Sequence, residues 1–306
     1  MEGEMEGAER IWFDGVLVEY DEMKVHVLTH ALHYGSGVFE GIRAYPTDRG
    51  AGVFHLTDHL QRLRRSAAQY YMDIPYSLEE LAAATHETIA ANRLPSCYIR
   101  PLVFRGHGEM GVNPLNCPIH VMIAVWTWGA YLGEAALENG IRCMISSWRR
   151  IGPNMIPATA KASGQYLNSQ LAKMEALKHG FDEAILLNEQ GMIADGSGEN
   201  VFAVQNGRLL TPPISASCLP GITRAAVMEM AAEMGIETIE RDLTRAELYF
   251  ADEVFLTGTA AEVTPVASLD DHHIGTGPIT KQIQKTFFDV VHGRHPLSDT
   301  YLEFPV

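Results

Sequence analysis

The chain is poor in cysteine, poor in cations and without a long apolar run, and each shortage removes a class of protein. Its 306 residues hold four cysteines, Cys97, Cys117, Cys143 and Cys218, with no CxxC spacing. That argues against a disulfide-dense secreted scaffold and fits a reducing cytoplasm. The first residues, Met1 to Glu6, carry acids where a leader would carry a basic and then an apolar stretch, so no signal peptide is expected. Apolar runs such as Ile119 to Trp126 have the length of a strand and are too short to span a bilayer. With 23 Lys and Arg against 38 Asp and Glu, the net charge is −15, which argues against nucleic acid or an anionic membrane as a partner. The 13 histidines contain no HExxH, and His272-His273 lies in a turn-like Asp/Gly context read as a solvated loop, so no metal is expected.

What is present is globular. Hydrophobic residues make up 46% of the chain and charged residues 20%, enough for a core in one large domain or two smaller ones. A hairpin is signalled by Asp14-Gly15 between Ile11-Trp12-Phe13 and Val16-Leu17-Val18. Thr57 is read as the cap of a helix running to Tyr71, and Ser77-x-x-Glu80 as a capping box for the next. Strands follow near 98–105 and 119–126, then a break at Trp128-Gly129-Ala130-Tyr131-Leu132-Gly133. The expected division is a small domain over 1–127, a connection over 128–136 and a larger domain over 137–306. In the second part a helix from Gly164 to His179 is expected to carry Leu167, Leu171, Met174 and Leu177 on one face. Further strands, an Asn206-Gly207 turn, a helix from Ile222 to Met234, a capping box at Thr244-x-x-Glu247 and a last helix over 278–291 complete the chain. Strands and helices mix without strict alternation, which predicts an α+β fold.

Lysine is scarce enough for one to stand out. Of the six, Lys161 alone sits among small, mostly apolar residues, where an extended stretch turns into a helix. Burial of an amine favours its neutral, nucleophilic form, which can make a Schiff base with an aldehyde; the plain alternative is a surface lysine at a helix start. If that aldehyde is pyridoxal phosphate, three further needs arise: a carboxylate for the ring nitrogen, backbone amides and a cation for the phosphate, and a donor for the ring hydroxyl. Asp195 and Glu199, in Ile193-Ala194-Asp195-Gly196-Ser197-Gly198-Glu199, are the carboxylates, or else solvated loop charges. Pro220-Gly221-Ile222-Thr223 and Thr257-Gly258-Thr259-Ala260-Ala261 are two phosphate cups, or else tight turns. Arg62 lies between leucines and either faces inward toward an anion or snorkels to the surface. Tyr34, Phe39, Arg43, Tyr98, Arg100 and Trp128 would suit a substrate with a carboxylate and an apolar side chain.

In order along the chain, these pieces resemble the branched-chain amino acid aminotransferases, of the fold-type-IV pyridoxal-phosphate family. The resemblance runs from Ile11 to Phe287. It is carried by His30-Ala31-Leu32-His33-Tyr34-Gly35, Val38-Phe39-Glu40-Gly41-Ile42-Arg43, Tyr98-Ile99-Arg100-Pro101, Met110-Gly111-Val112-Asn113-Pro114, the stretch from Trp128 to Gly133, Lys161-Ala162-Ser163-Gly164-Gln165-Tyr166, Leu219-Pro220-Gly221-Ile222-Thr223-Arg224 and Thr257-Gly258-Thr259-Ala260-Ala261-Glu262. It implies a two-domain α+β architecture with the cofactor at the domain interface, and transamination of L-leucine, L-isoleucine and L-valine with 2-oxoglutarate. It implies that Lys161 carries the cofactor and shuttles a proton, and that Tyr166 bonds the ring hydroxyl. Arg62, Leu219, Gly221, Ile222, Thr223 and Thr259 would surround the phosphate. Tyr98 and the amides of Thr259, Ala260 and Ala261 would hold the α-carboxylate. Phe39, Arg43, Trp128, Tyr131 and Tyr166 would line the pocket, Arg100 would meet the distal carboxylate of glutamate, and Tyr34 and Val112 would enter from a neighbouring subunit of a homodimer or trimer of dimers. One position departs from the pattern: the family has glutamate where this chain has Asp195, so either Asp195 or Glu199 is the ring-nitrogen partner. The rival readings are a D-amino acid or (R)-amine transaminase, an aminodeoxychorismate lyase, or a non-catalytic binder of the same cofactor.

Overall fold

The computed structural model describes residues 6–129 and 132–305. Its contacts group them into two units. The first runs to Trp128 and also takes Ala160–Gly164 and the residues from Val290 onward; the second holds Gly129–Thr159 and Gln165–Asp289. One cut between residues 127 and 137 does not describe this division. The short stretch around Lys161 joins the first unit because Val38 bridges to Ala162 and the Phe39 amide donates to the Lys161 carbonyl at 3.0 Å. The C-terminal stretch joins it because Leu302–Glu303 pairs with Gly50–Phe54.

The first unit is a wholly antiparallel sheet. Its order is Leu302–Glu303, Gly50–Phe54, Ile42–Thr47, Cys97–Arg105, Ile119–Trp126, Arg10–Phe13, Val16–Glu19, with Gly37–Phe39 also paired to Cys97–Arg105. Inward residues of the sheet, among them Ile42, Val53, Ile99, Val103, Val121 and Ile123, share a core with Leu56, Leu60, Leu63 and Leu81 from the helices Leu56–Gln69 and Leu78–Ala91. Ser77 closes the expected capping box with Glu80. The preceding helix is not capped by Thr57. His55 takes the cap position in left-handed backbone at φ 49°, and the Thr57 amide donates to Glu303 Oε1 at 2.7 Å, a partner 246 residues away.

The second unit is a mixed sheet in the order Ile193–Gly196, Glu183–Leu187, Ile141–Arg149, Glu262–Leu269, Glu253–Gly258, Asn200–Gln205, Arg208–Thr211, Thr238–Glu240. His272–His273, expected in a loop, forms a short strand beside Glu262–Leu269. Thr244 closes its capping box with Glu247, and Asn206-Gly207 turns the chain with both φ positive. The helix Tyr166–Lys178 turns its apolar stripe outward. Leu167, Leu171, Met174 and Leu177 are exposed, and Ser169, Ala172 and Ala176 are buried instead. Small side chains let the helix backbone lie close on the sheet, where Ala172 and Ala176 pack with Ala184 and Leu186. All four cysteines are free and buried. Among the described residues no helix is long and apolar enough to cross a membrane.

Candidate active site

In the first unit Lys161 is fixed through its main chain. Its amide donates to Ser66 Oγ at 3.0 Å, and its carbonyl accepts from Phe39. Ala160 and Ala162 on either side are buried, and the half-buried side chain places Nζ 5.2 Å from the centre of the Phe39 ring.

Ser66 belongs to a polar line on the helix Leu56–Gln69. His59, Arg62 and Ser66 recur at helical spacing and are all buried, beside the leucines of the core. Arg62 therefore faces inward and does not snorkel. Its anion in the structure is Glu40, which accepts from Nε at 2.7 Å and from Nη2 at 2.8 Å. Glu40 Oε2 also accepts from His59 Nδ1 at 2.7 Å. Burial raises the proton affinity of the Glu40 carboxyl, but Arg62 and His59 outweigh it and hold the group well below the usual carboxylate range. Burial likewise lowers the His59 pKa, against the pull of Glu40. Glu40 escaped the sequence reading because its partners lie 19 and 22 residues away, beyond any local motif.

The aromatic set gathers around Arg100. Its guanidinium carbon lies 4.8 Å from the Phe39 ring centre, 5.2 Å from Tyr98 and 5.6 Å from Trp126. Arg100 Nη2 donates to the Tyr98 hydroxyl at 3.2 Å, while Arg100 Nε is buried with no hydrogen-bond partner among the described residues. Tyr98 packs edge-on to Trp128 at 4.5 Å. Its hydroxyl lies over Gly41, where a Cβ would come within 2.0 Å of it, so only glycine fits there. Arg43 donates to the Trp128 carbonyl at 2.5 Å. Tyr34 and Val112 are exposed, and His30 ties their segments together by stacking on Tyr34 at 4.5 Å and bonding the Gly111 carbonyl at 2.8 Å. Tyr131 lies outside the described residues.

In the second unit the two acids are not solvated. The pairing of Ile193–Gly196 with Glu183–Leu187 shifts register between Ile193 and Asp195. Asp195 is buried beside Arg150 Nε at 3.3 Å. Glu199 is buried and folds back on its own turn, accepting from the Gly198 amide at 3.0 Å. Burial, and then the charge of Glu183, push its carboxyl up to about 8. Arg150 escaped the sequence reading because only the fold brings it to Asp195.

The helix Ile222–Glu233 begins at Gly221 with no side-chain cap, so the amides of its first turn are available to an anion. A Cβ on Gly221 would meet Asn200 Oδ1 at 1.9 Å, and Asn200 Nδ2 in turn donates to the Leu219 carbonyl at 2.9 Å. Asn200 thus shapes the turn. Thr223 is buried, with Ile222 at its edge. The second small-residue turn, Gly258 to Ala261, follows the strand Glu253–Gly258, and Thr257 Oγ1 is buried there without a hydrogen-bond partner among the described residues. Thr259 and Ala260 are half-buried and Ala261 is buried, while Tyr166 is half-buried at the start of its helix. In the second unit the uncapped helix amides and a buried carboxylate are of the kinds that the phosphate and ring nitrogen of pyridoxal phosphate require, and in the first unit Lys161 is an amine of the kind its aldehyde requires, so the residues of each unit fit that group.

A family model described as amino-transferase class IV matches residues 37–269. The branched-chain-amino-acid aminotransferase of Salmonella typhimurium is 51% identical over 290 residues, spanning 94% of each chain. The crystal structure of the Escherichia coli branched-chain amino acid aminotransferase is similar with a TM-score of 0.95 at 49% identity, over 97% of this chain and 99% of that one. The branched-chain amino acid aminotransferase of Thermobaculum terrenum in its PLP-bound holo form has a TM-score of 0.91 at 34% identity, over 97% of this chain and 98% of that one.

Proposed function

This chain belongs to the class IV aminotransferases and, within them, to the branched-chain amino acid aminotransferases, and from that premise we propose that it transfers the amino group of L-leucine, L-isoleucine or L-valine to 2-oxoglutarate. The products are the branched-chain 2-oxo acid and L-glutamate. The observation that carries the reading is the 51% identity to a branched-chain enzyme across 94% of both chains. Pyridoxal 5'-phosphate, when bound, supplies the electron sink for charge developing at the substrate Cα.

The chain's own residues hold and move protons and orient the substrate. Lys161 would hold the cofactor through its amine and, as general acid and base, would move a proton at the substrate Cα. Its main chain is pinned by Phe39 and Ser66, which supports a fixed starting point for the amine. Arg62, the amides of Ile222 and Thr223, and Thr259 take the phosphate, with Leu219 and Gly221 forming the turn. Tyr166 takes the ring hydroxyl, and an acid of the pair Asp195 and Glu199 takes the ring nitrogen. Tyr98 and the amides of Ala260 and Ala261 orient the α-carboxylate. Phe39, Arg43 and Trp128 line the apolar side, and Arg100 meets the second carboxylate of glutamate.

The protein works as a homodimer or a trimer of dimers in the cytoplasm, with Tyr34 and Val112 reaching the neighbouring subunit. The exposure of both, and of Leu167, Leu171, Met174 and Leu177, supports self-association. A donor panel tests the function: L-leucine, D-alanine and (R)-1-phenylethylamine, each with 2-oxoglutarate. Turnover of L-leucine well above the other two is expected, and preference for either of them overturns the reading.

A further inference from the structure

Two buried acids four residues apart share one turn, and their surroundings differ in sign. Asp195 faces Arg150, which enters from the end of the strand Ile141–Arg149 with its side chain only 7% exposed. Arg150 is anchored at its far end, where Nη1 donates to Ser169 Oγ at 2.9 Å. Also bearing on Asp195 are Glu199 in its own turn and the thiol of Cys218, which burial pushes up to about 12 and leaves neutral. Glu199 faces a different neighbour. Glu183 is fully buried and paired with Lys173 Nζ at 2.6 Å, and its negative charge bears on Glu199. A second negative charge beside Glu183 is costly in a buried setting, whereas one beside Arg150 is favoured. A protonated ring nitrogen is a cation, and only an anionic acid balances it.

We propose that Arg150 is a positioning residue for Asp195, aiming its carboxylate and holding it as the anionic acid that meets the pyridine nitrogen of the cofactor. The inference rests on the cofactor reading above. The shorter aspartate is then the ring partner in this chain, and Arg150 both aims its carboxylate and keeps it charged.

The experiment titrates apo-protein with pyridoxal 5'-phosphate and reads the dissociation constant as a ratio to wild type across pH. In Arg150→Gln the Asp195 carboxyl loses its cation and takes up a proton more readily as pH falls, so the ratio should rise toward lower pH by about ten-fold. Arg150→Lys should restore a flat ratio. A flat ratio in Arg150→Gln overturns the proposal. If that variant does not fold, Ser169→Ala takes its place, with a rise of about two- to three-fold expected and a flat ratio again overturning it. Asp195→Asn separates the two levels of the argument: weakened binding at every pH supports Asp195 as ring partner, whereas binding equal to wild type overturns that assignment and the role of Arg150 with it.

Discussion

Glu40 holds Arg62 by both oxygens, at 2.7 Å to Nε and 2.8 Å to Nη2, with the carboxylate fully buried. The same carboxylate takes His59, so one acid orders two side chains of a helix that also supplies Ser66 to Lys161. Glu40→Ala leaves a buried guanidinium without its counter-ion, and a loss of about 3–5 kcal/mol in stability is expected. Denaturant unfolding of the apo-protein measures it. Because the folded state lowers the Glu40 pKa, its contribution is complete above the ordinary carboxylate range and is lost as pH falls below it, so wild type and variant should converge in acid.

Arg62→Ala should weaken cofactor binding. A charge-assisted contact to phosphate is worth about 1.5–3 kcal/mol, roughly ten- to hundred-fold in affinity. Titration of the apo-protein gives the value, and an unchanged dissociation constant would confine Arg62 to its pairing with Glu40.

Arg100→Ala should slow the half-reaction with L-glutamate more than the one with L-leucine, because only glutamate brings a second carboxylate. Single-turnover kinetics with each donor separates the two. Equal losses would move Arg100 to the α-carboxylate, which both substrates share.

Glu199 titrates in the opposite sense to Glu40. Its folded-state pKa is raised to about 8, so the folded protein binds a proton that the unfolded chain has released. Stability should therefore decline as pH rises from the ordinary carboxylate range toward 8, by an amount on the order of a few kcal/mol. Glu199→Gln cannot release that proton, and it should flatten the decline in the unfolding midpoint of the apo-protein. A profile as steep as that of wild type would count against a neutral Glu199.

Borohydride treatment of cofactor-saturated protein should fix the cofactor on Lys161 and on no other lysine. Mass spectrometry after digestion locates the label, and a label on Lys173, Lys178 or elsewhere would remove Lys161 from its role.

The features legible in the sequence are those whose partners lie within one turn. The capping boxes at Ser77 and Thr244, the hairpin at Asp14-Gly15 and the turn at Asn206-Gly207 each close over a few residues, and each is found where local chemistry puts it. Helical periodicity had less reach. It correctly grouped Leu167, Leu171, Met174 and Leu177 on one face but not the side on which protein would lie, since a stripe of leucines reads the same against a sheet, a second subunit or water.

The sequence by itself determined the local elements, the α+β composition and the singular setting of Lys161. Only the tertiary structure decided that Arg62 turns inward to Glu40, that His55 and Glu303 start its helix, and that Asp195 and Glu199 are buried under neighbours of opposite sign. The charge on a buried acid is the balance of lost hydration against the charges brought to it, here from 45 residues away for Arg150 and Asp195. That balance has no signature along the chain, because it does not exist until the strands pair.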